Sequence, residues 1–183
     1  GENVPTIKSM DTEGRVIYAG SFSKVMAPAF RLVFLVFNKS LTGPLTVAKQ
    51  CTDVHSTVLF QYICNEYINN YDFDKHLEDS RKVYEHKCNL MMECMKKEFH
   101  PSVTFGHPEG GLFVMAFLPD GMDSAPFVRE AINRGVLSVP GAAFLADENQ
   151  KSNGFRLNYS TPSDEQIVKG IEILGKLTYE WIK

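Results

Sequence analysis

The sequence has no apolar stretch as long as a membrane-spanning helix. Its longest apolar runs, such as FRLVFLVF at 30–37, are far shorter than the roughly 18 to 20 residues that cross a bilayer. The opening residues GENVPTIKSMDTEGR are polar and partly acidic, which is not the pattern of a signal peptide. We therefore expect neither a membrane anchor nor a secretion signal in this segment.

A large excess of positive charge is also missing. The chain has 19 lysines and arginines against 22 aspartates and glutamates, which gives a formal net charge of −3. Proteins that attract nucleic acid or anionic membranes through their overall field carry a clear positive excess. We therefore predict that this segment binds neither. With 183 residues, 44% of them hydrophobic, it is long enough to fold as one domain or two small ones.

The cysteines form no C-x-x-C pair. They are Cys51, Cys64, Cys88 and Cys94. A structural zinc site would need cysteines and histidines at short, fixed spacings, and none of the five histidines stands at such a spacing from a cysteine pair. We therefore predict free thiols, no bound metal, and a reducing, cytoplasmic location.

Two apolar segments near the start of the chain predict buried strands. VIYAG at 16–20 is rich in β-branched and aromatic residues, and FRLVFLVF at 30–37 leaves little room for a solvent-facing side. The loop between them, SFSKVMAPA, is interrupted by Pro28. After Gly43 and Pro44, the pattern predicts one long helical stretch to about Tyr71.

From residue 74 onwards, the pattern predicts a second unit of helices and strands. Its expected elements are a helix over 74–99, strands SVTFG and LFVMAFL, a helix capped by Asp123 or Ser124 and ending at Gly135, strands at 136–139 and 155–160, and a final helix through Trp181. The methionines of the first of these helices are expected to fill the core. The result is an α+β unit with a mainly antiparallel sheet, without internal repeats or low-complexity tracts.

Four motifs resemble those of one enzyme family. GSFSKVMAPAFRL at 20–32 closely resembles the lysine loop of pyridoxal-phosphate enzymes of the aspartate aminotransferase fold, in the class I/II branch that includes aminoadipate aminotransferases and MocR-type regulators. PEGGLFVMAFLP at 108–119, GVLSVPGAAF at 135–144 and FRLNYS at 155–160 resemble the landmarks of that family's small domain, in the same order. The resemblance extends over essentially the entire chain.

The resemblance implies an α/β fold overall, that of the fold type I pyridoxal-phosphate transferases. Residues 1–43 would be the last piece of the cofactor-binding large domain, with the lysine loop and the last two strands of its sheet. Residues 44–71 would form the linking helix, and residues 72–183 would form the small C-terminal α+β domain.

The resemblance also implies roles for the residues of the lysine loop. Lys24 would condense with the aldehyde of pyridoxal 5'-phosphate and later carry a proton between substrate and cofactor. Ser21 and Ser23 would donate hydroxyl hydrogen bonds to the phosphate. Arg31 would place two guanidinium nitrogens on the phosphate oxygens, a geometry that lysine cannot copy.

A second arginine is implied in substrate binding. Arg156 lies in the middle of the otherwise apolar segment FRLNYS, where burying an unpaired guanidinium would be costly. By the resemblance, it binds the α-carboxylate of the amino-acid substrate. The turn PGAAF at 140–144 would lie near the substrate side chain, without a specific contact assigned to it.

Each of these assignments has an ordinary alternative. Lys24 alone could be a solvated loop lysine, and Ser21 and Ser23 could bond turn amides. Arg31 could pair with a nearby acid, and Arg156 could lie on an exposed edge strand. The match of all these positions to one family pattern favours the functional interpretation.

The chain departs from the family pattern in two ways. Ala29 and Val33 stand where glycine is usual, which could alter the backbone that carries Arg31. The glycine-rich phosphate turn, the ring-stacking aromatic residue and the aspartate that pairs with the pyridine nitrogen are not found in the chain. We therefore expect the chain to be the C-terminal half of an enzyme and to be inactive alone.

The favoured function is transfer of an amino group between an α-amino acid and a 2-oxo acid in a homodimer. One alternative is the effector-sensing domain of a MocR-type transcription regulator, and another is a module for folding or dimerisation only. Lyases and synthases of the same fold use the same lysine, so the reaction type stays open at this point.

Overall fold

The computed structural model describes residues 4–147 and 149–182. It divides into two compact units, residues 1–80 and 81–183, which are described separately below. Within the described residues, no helix has both the length and the apolar character needed to cross a membrane.

The first unit contains a two-stranded antiparallel sheet and two helices. Its elements are β1 (Tyr18–Ser21), β2 (Val33–Val36), α1 (Thr42–Thr52) and α2 (Val58–Asn70), with short 3-10 turns at Ile7–Met10, Pro28–Phe30 and Lys39–Leu41. In the β1–β2 register, Ser21 pairs with Val33. Gly20 is buried under the ring of Phe34, which occupies the space of a Cβ atom, so a side chain at this position would displace the ring.

The two strands predicted at 16–20 and 30–37 are present, but the prediction that they are buried is wrong for this structure. The side chains of β2 are between 41% and 60% exposed, and in β1 only Gly20 is buried. The reason is that β1 and β2 form a two-stranded sheet by themselves among the described residues. Both strands of such a sheet are edge strands, so neither is enclosed between neighbouring strands.

The single helical stretch predicted over 44–71 is two helices. The break follows α1, where the amides of Asp53 and Val54 both donate to the carbonyl of Lys49, each at 3.1 Å. Val54 adopts a left-handed backbone with a φ of 65°, which a helix cannot accommodate. The chain therefore turns before α2 begins at Val58.

The second unit is an α+β structure, as predicted. α3 (Phe73–Glu98) begins in the first unit and continues into the second, and is followed by β3 (Thr104–Phe105), β4 (Phe113–Phe117), α4 (Ser124–Asn133), β5 (Val139–Pro140), β6 (Gly154–Asn158) and α5 (Asp164–Trp181). The strand order is β3-β4-β6-β5, with every neighbouring pair antiparallel. The strand predicted at 136–139 is shorter, because it pairs with β6 only through Val139 and Pro140.

Alternation along the central strands gives the sheet one core face. On β4 Val114 and Ala116 are buried, and on β6 Phe155 and Leu157 are buried, while the intervening side chains are more exposed. The core side of the sheet is packed with residues of the three helices of this unit, among them Met91, Met92 and Met95 of α3, Phe127 of α4, and Leu174 and Leu177 of α5. The prediction that these methionines fill the core is confirmed.

Two helices of the second unit begin at side chains that cap them, and the cap of α4 is one of the two residues predicted for it. The Asp123 carboxylate accepts a hydrogen bond from the Ala125 amide at the start of α4. At the start of α5, Ser163 and Gln166 form a reciprocal capping box. These caps satisfy amides that have no partner within the helix.

Candidate active site

The predicted catalytic lysine lies in a tight turn between β1 and β2. The Met26 amide donates to the Phe22 carbonyl at 2.9 Å, so the chain closes one helical turn around Lys24. The Phe22 amide donates to the Leu32 carbonyl at 3.1 Å, which extends the hydrogen bonding between β1 and β2 by one residue beyond each strand. The backbone of the turn is therefore fixed on both sides of Lys24.

Side chains from α2 and α3 support this turn. The Cys64 sulfur lies 3.5 Å from the Met26 sulfur, and the rings of Phe60 and Phe30 stack with centroids 5.0 Å apart. His76 Nε2 lies 2.9 Å from the carbonyl oxygen of Val25, the residue after Lys24. Sequence reasoning did not identify these supporting contacts, because they join segments that are far apart in the chain.

Cys64 is a packing residue in this arrangement. Its side chain is buried, and burial raises the pKa of its thiol above the ordinary value. The thiol therefore stays protonated and unreactive near neutral pH, and it can act as a weak donor to the Met26 thioether.

The side chain of Lys24 has no partner among the described residues. The residue is exposed, and its Nζ atom makes no hydrogen bond or ion pair with any residue that the structure describes. Other lysines of the same unit do have carboxylate partners, including Lys49 with Asp53 and Lys8 with Asp11. Lys24 thus stands on a fixed backbone, and its side chain has no described partner.

The two serines of the loop differ in their bonding. The Ser21 hydroxyl oxygen accepts a hydrogen bond from the Ser23 amide at 3.2 Å, which is the turn-stabilising contact considered as the ordinary alternative. This contact uses an oxygen lone pair and leaves the Ser21 hydroxyl proton free to donate. Both hydroxyl groups can therefore still donate to an anion.

Arg31 combines an unusual backbone with a free side chain. Its φ of 54° and ψ of 33° place it in the left-handed region, which costs a non-glycine residue about 1–2 kcal/mol. The residue is exposed, and its guanidinium has no ion-pair partner within residues 4–147 and 149–182. Strain of this kind is often found at functional sites.

Ala29 and Val33, which stand where glycine is usual, do not have a positive φ themselves. Among the described non-glycine residues, only Arg31 and Val54 have a positive φ. Ala29 lies in the 3-10 turn Pro28–Phe30, and Val33 is the first residue of β2. Alanine and valine adopt these backbone conformations without strain, so glycine is not needed at either position for conformational reasons.

Arg156 lies in the second unit, at the centre of its sheet. β6 is flanked by β4 and β5, with Met115 and Val139 opposite Arg156, so the alternative of an exposed edge strand is wrong. The guanidinium carbon lies 4.0 Å from the centre of the Phe113 ring and 4.7 Å from that of Phe144. Sequence reasoning missed both aromatic contacts.

The beginning of β4 is fixed by a buried tyrosine. The Tyr159 hydroxyl donates to the Gly111 carbonyl at 2.7 Å, and the Tyr159 amide donates to the Leu112 carbonyl at 3.2 Å. Burial raises the pKa of Tyr159 to about 12, so the phenol remains a donor throughout the neutral range. These bonds determine the position of the segment that leads into Phe113.

The motifs that carry these residues are matched by one family. The family description "Aminotransferase class I and II" matches residues 2–174. The chain belongs to this family. The fold class predicted from the resemblance, a fold type I pyridoxal-phosphate transferase, is confirmed by this match and by the solved structures below.

Several aminotransferases are similar to this chain. An aromatic-amino-acid aminotransferase of Thermococcus litoralis is 36% identical over 183 residues, which cover 100% of this chain and 44% of that protein. The kynurenine aminotransferase of Pyrococcus horikoshii, solved with PMP, superposes with a TM-score of 0.93 at 37% identity, covering 100% of this chain and 45% of that one. The α-aminoadipate aminotransferase LysN of Thermus thermophilus was solved with N-(5'-phosphopyridoxyl)-L-leucine. It superposes with a TM-score of 0.91 at 34% identity, covering 98% of this chain and 47% of that one.

Transcription regulators are also similar to this chain, at a lower sequence identity than these aminotransferases. An uncharacterized HTH-type regulator of Bacillus subtilis is 28% identical over 174 residues, covering 95% of this chain and 36% of the regulator. In all of these comparisons, the chain spans less than half the length of the protein that it matches.

Proposed function

We propose that this chain acts as the C-terminal portion of a pyridoxal-phosphate-dependent aminotransferase, which transfers an amino group between an α-amino acid and a 2-oxo acid. The observation that carries the proposal is the free, exposed amine of Lys24 on a turn whose backbone is fixed from both sides. The solved relatives with PMP and a phosphopyridoxyl adduct support the choice of cofactor.

The donor chemistry of the lysine loop fits this cofactor. Pyridoxal phosphate, when bound, supplies an aldehyde that reacts with amines and a ring that accepts electrons. Lys24 provides the amine for the aldehyde, and in the reaction its nitrogen carries the proton to and from the substrate. Ser21, Ser23 and Arg31 provide hydroxyl and guanidinium donors for the phosphate dianion.

Arg156 is proposed to bind the α-carboxylate shared by both substrates. Its guanidinium is unpaired in the described part of the chain, and it lies on the sheet face away from the core. A carboxylate would complete its hydrogen bonding with two parallel N–H donors. Fixing this carboxylate also orients the substrate for proton transfer.

The assembly around these residues is part of the proposal. We propose a cytoplasmic homodimer, with the division at 1–43, 44–71 and 72–183 corresponding to large domain, linking helix and small domain. The 183-residue chain alone is expected to be inactive, because the ring-binding residues of the family are not found in its sequence.

A regulator is the second candidate function, favoured by the match to HTH-type regulators at 28% identity. A regulator would bind the cofactor through the same loop without turnover. Incubating the full-length polypeptide with pyridoxal phosphate and amino acids separates the two. Release of a 2-oxo acid that is lost in Lys24→Ala supports the aminotransferase, whereas cofactor binding without product would support the regulator.

The phosphate assignment predicts that Arg31→Lys weakens binding of pyridoxal phosphate. Lysine retains the charge but loses the two-pronged geometry, so we expect a decrease in affinity of about 10-fold or more. The measurement is a cofactor titration followed by absorbance. Arg15→Lys is the matched control, because Arg15 is an exposed arginine of the same unit that pairs with Glu13. An equal affinity of the two variants would contradict the assignment of Arg31.

A further inference from the structure

Arg156 contacts aromatic ring faces, and within residues 4–147 and 149–182 it contacts no carboxylate. Its guanidinium carbon lies over the Phe113 ring at 4.0 Å and over the Phe144 ring at 4.7 Å. No hydrogen bond from its five N–H donors reaches another residue of the described part of the chain. A partly buried guanidinium is thus held by rings that balance its charge in part and leave its donors unused.

Sheet register brings the first ring to the guanidinium. Arg156 on β6 lies opposite Met115 on β4, and Phe113 lies two residues away on the same strand. Side chains two residues apart on a strand share one face, so Phe113 lies on the same side of the sheet as Arg156. Phe113 and Arg156 are diagonal neighbours on adjacent strands, a separation that an aromatic ring and a long side chain can bridge.

A tight turn brings the second ring. Phe144 ends the 3-10 turn Gly141–Phe144, and a Cβ atom at Gly141 would lie 2.7 Å from the Gly154 carbonyl oxygen. The turn therefore packs directly against the start of β6 and holds Phe144 near Arg156. Phe144 is 50% exposed, and it is neither in the buried core cluster nor among the side chains packed against that cluster.

We propose that Phe113 and Phe144 are positioning residues that orient the Arg156 guanidinium before a substrate carboxylate arrives. The inference rests on the proposed role of Arg156 in carboxylate binding. The ring faces attract the cation and restrict its rotamers, while the N–H donors remain directed to an anion. Because the ordering is achieved before binding, losing either ring weakens the carboxylate contact without removing the arginine.

The direct test measures anion binding at Arg156 in the full-length polypeptide without cofactor. Phenylglyoxal modifies accessible arginines, and mass spectrometry reports the rate at Arg156 at rising concentrations of acetate, with acetamide as the neutral control. We expect acetate to protect Arg156. In Phe144→Leu and Phe113→Leu, half-protection should need about 2- to 5-fold more acetate.

Two further variants distinguish positioning from general structure. Phe144→Tyr keeps the ring and should restore protection to within about twofold, as expected if the ring quadrupole matters. Phe117→Leu is the matched control, since Phe117 lies on β4 and is 38% exposed, whereas the rings that lie over the guanidinium are those of Phe113 and Phe144. Its acetate dependence should match the wild type.

Steady-state kinetics in the active holoenzyme provide a second readout. The leucine variants should raise the KM for both the amino acid and the 2-oxo acid, and change kcat much less. Equal acetate protection in all variants, or no acetate protection in the wild type, would overturn the proposal. Because the acetate experiment contains no cofactor, its failure is distinguishable from a failure to find pyridoxal phosphate on Lys24, which would instead refute the proposed function.

Discussion

At the scale of single residues, Asp11 organises the backbone that leads into β1. Its carboxylate accepts hydrogen bonds from the amides of Glu13, Arg15 and Val16 at 3.0 to 3.2 Å, and it pairs with Lys8 at 2.8 Å. The Lys8 ammonium, with the backbone amides, holds the pKa of Asp11 well below its ordinary value. The segment before the lysine loop is therefore anchored by a single ionised side chain.

This arrangement predicts a pH-dependent effect of Asp11→Asn. A carboxyl group whose pKa is lowered by folding stabilises the folded state above its unfolded pKa, about 3.9, and this contribution is lost as the pH falls towards the folded pKa. We expect faster hydrogen exchange of the Arg15 and Val16 amides in Asp11→Asn at pH 6. The difference from the wild type should shrink below about pH 4.

Equal exchange rates in the two proteins at pH 6 would contradict this account of Asp11. A matched control is Asp53→Asn, because Asp53 is an exposed carboxylate of the same unit that pairs with Lys49. That variant should leave the Arg15 and Val16 amides unchanged.

Some site residues could be recognised from the sequence because their pattern lies within one short segment, whereas others could not. Lys24 and its neighbours stand in one continuous motif, and Arg156 stands out as a charge inside an apolar strand. Phe113 and Phe144 look like ordinary apolar residues, because their contact with Arg156 follows from strand register and turn packing. Their roles remain proposals, like those of the loop residues.

At the scale of elements, α3 and α5 are in close contact at Gly175. A Cβ atom at this position would lie 2.5 Å from the Glu98 carbonyl oxygen at the end of α3. Next to it, the Thr178 hydroxyl donates to the Gly175 carbonyl and accepts from the His100 amide. The end of α3 and the chain after it are therefore joined to α5 through a small residue and a buried hydroxyl.

This contact predicts opposite effects for two glycine substitutions in α5. Gly175→Ala should lower the free energy of unfolding of the second unit by about 1–3 kcal/mol, because the helices must move apart. Gly170→Ala should raise it by about 0.5–1 kcal/mol, because alanine is the better helix former and its Cβ would meet only Val136, at 4.0 Å. Chemical denaturation followed by the fluorescence of Trp181 measures both. Equal effects of the two substitutions would contradict the packing account.

Helices with local signals were predicted well from the sequence, and the break between α1 and α2 was not. Asp123 is a side-chain cap that can be recognised from one residue and its neighbours. The break contains Val54 in a left-handed conformation, for which valine gives no signal because it rarely adopts that backbone. Likewise, VLSV looked like a full strand, but only Val139 and Pro140 find partners on β6.

At the scale of the whole molecule, apolar burial differs between the two units. Among the described residues, Leu32 and Cys64 are the buried apolar side chains of the first unit, and the others lie in the second. The first unit instead exposes the side chains of β2 and of several apolar residues of α2, such as Leu59 and Tyr62. Large apolar surfaces of this kind usually mark an interaction site.

This difference predicts unequal stability of the two units in the isolated 183-residue chain. Amides of residues 81–182 should exchange slowly, and those of 4–80 should exchange much faster, because few buried contacts protect them. The exposed strands should also cause concentration-dependent association and binding of an apolar dye. Hydrogen exchange with mass spectrometry and light scattering measure these effects. A monomeric chain with uniform protection and one cooperative melting transition would contradict the prediction.

The most direct test of the central claim is to locate the cofactor. The full-length polypeptide would be incubated with pyridoxal phosphate, reduced with borohydride and mapped by peptide mass spectrometry, with pyridoxal lacking the phosphate and Lys96→Ala as controls. The account predicts one phosphate-dependent pyridoxyl group on Lys24, which persists in Lys96→Ala and disappears in Lys24→Ala. A pyridoxyl group on another lysine, or none at all, would contradict it.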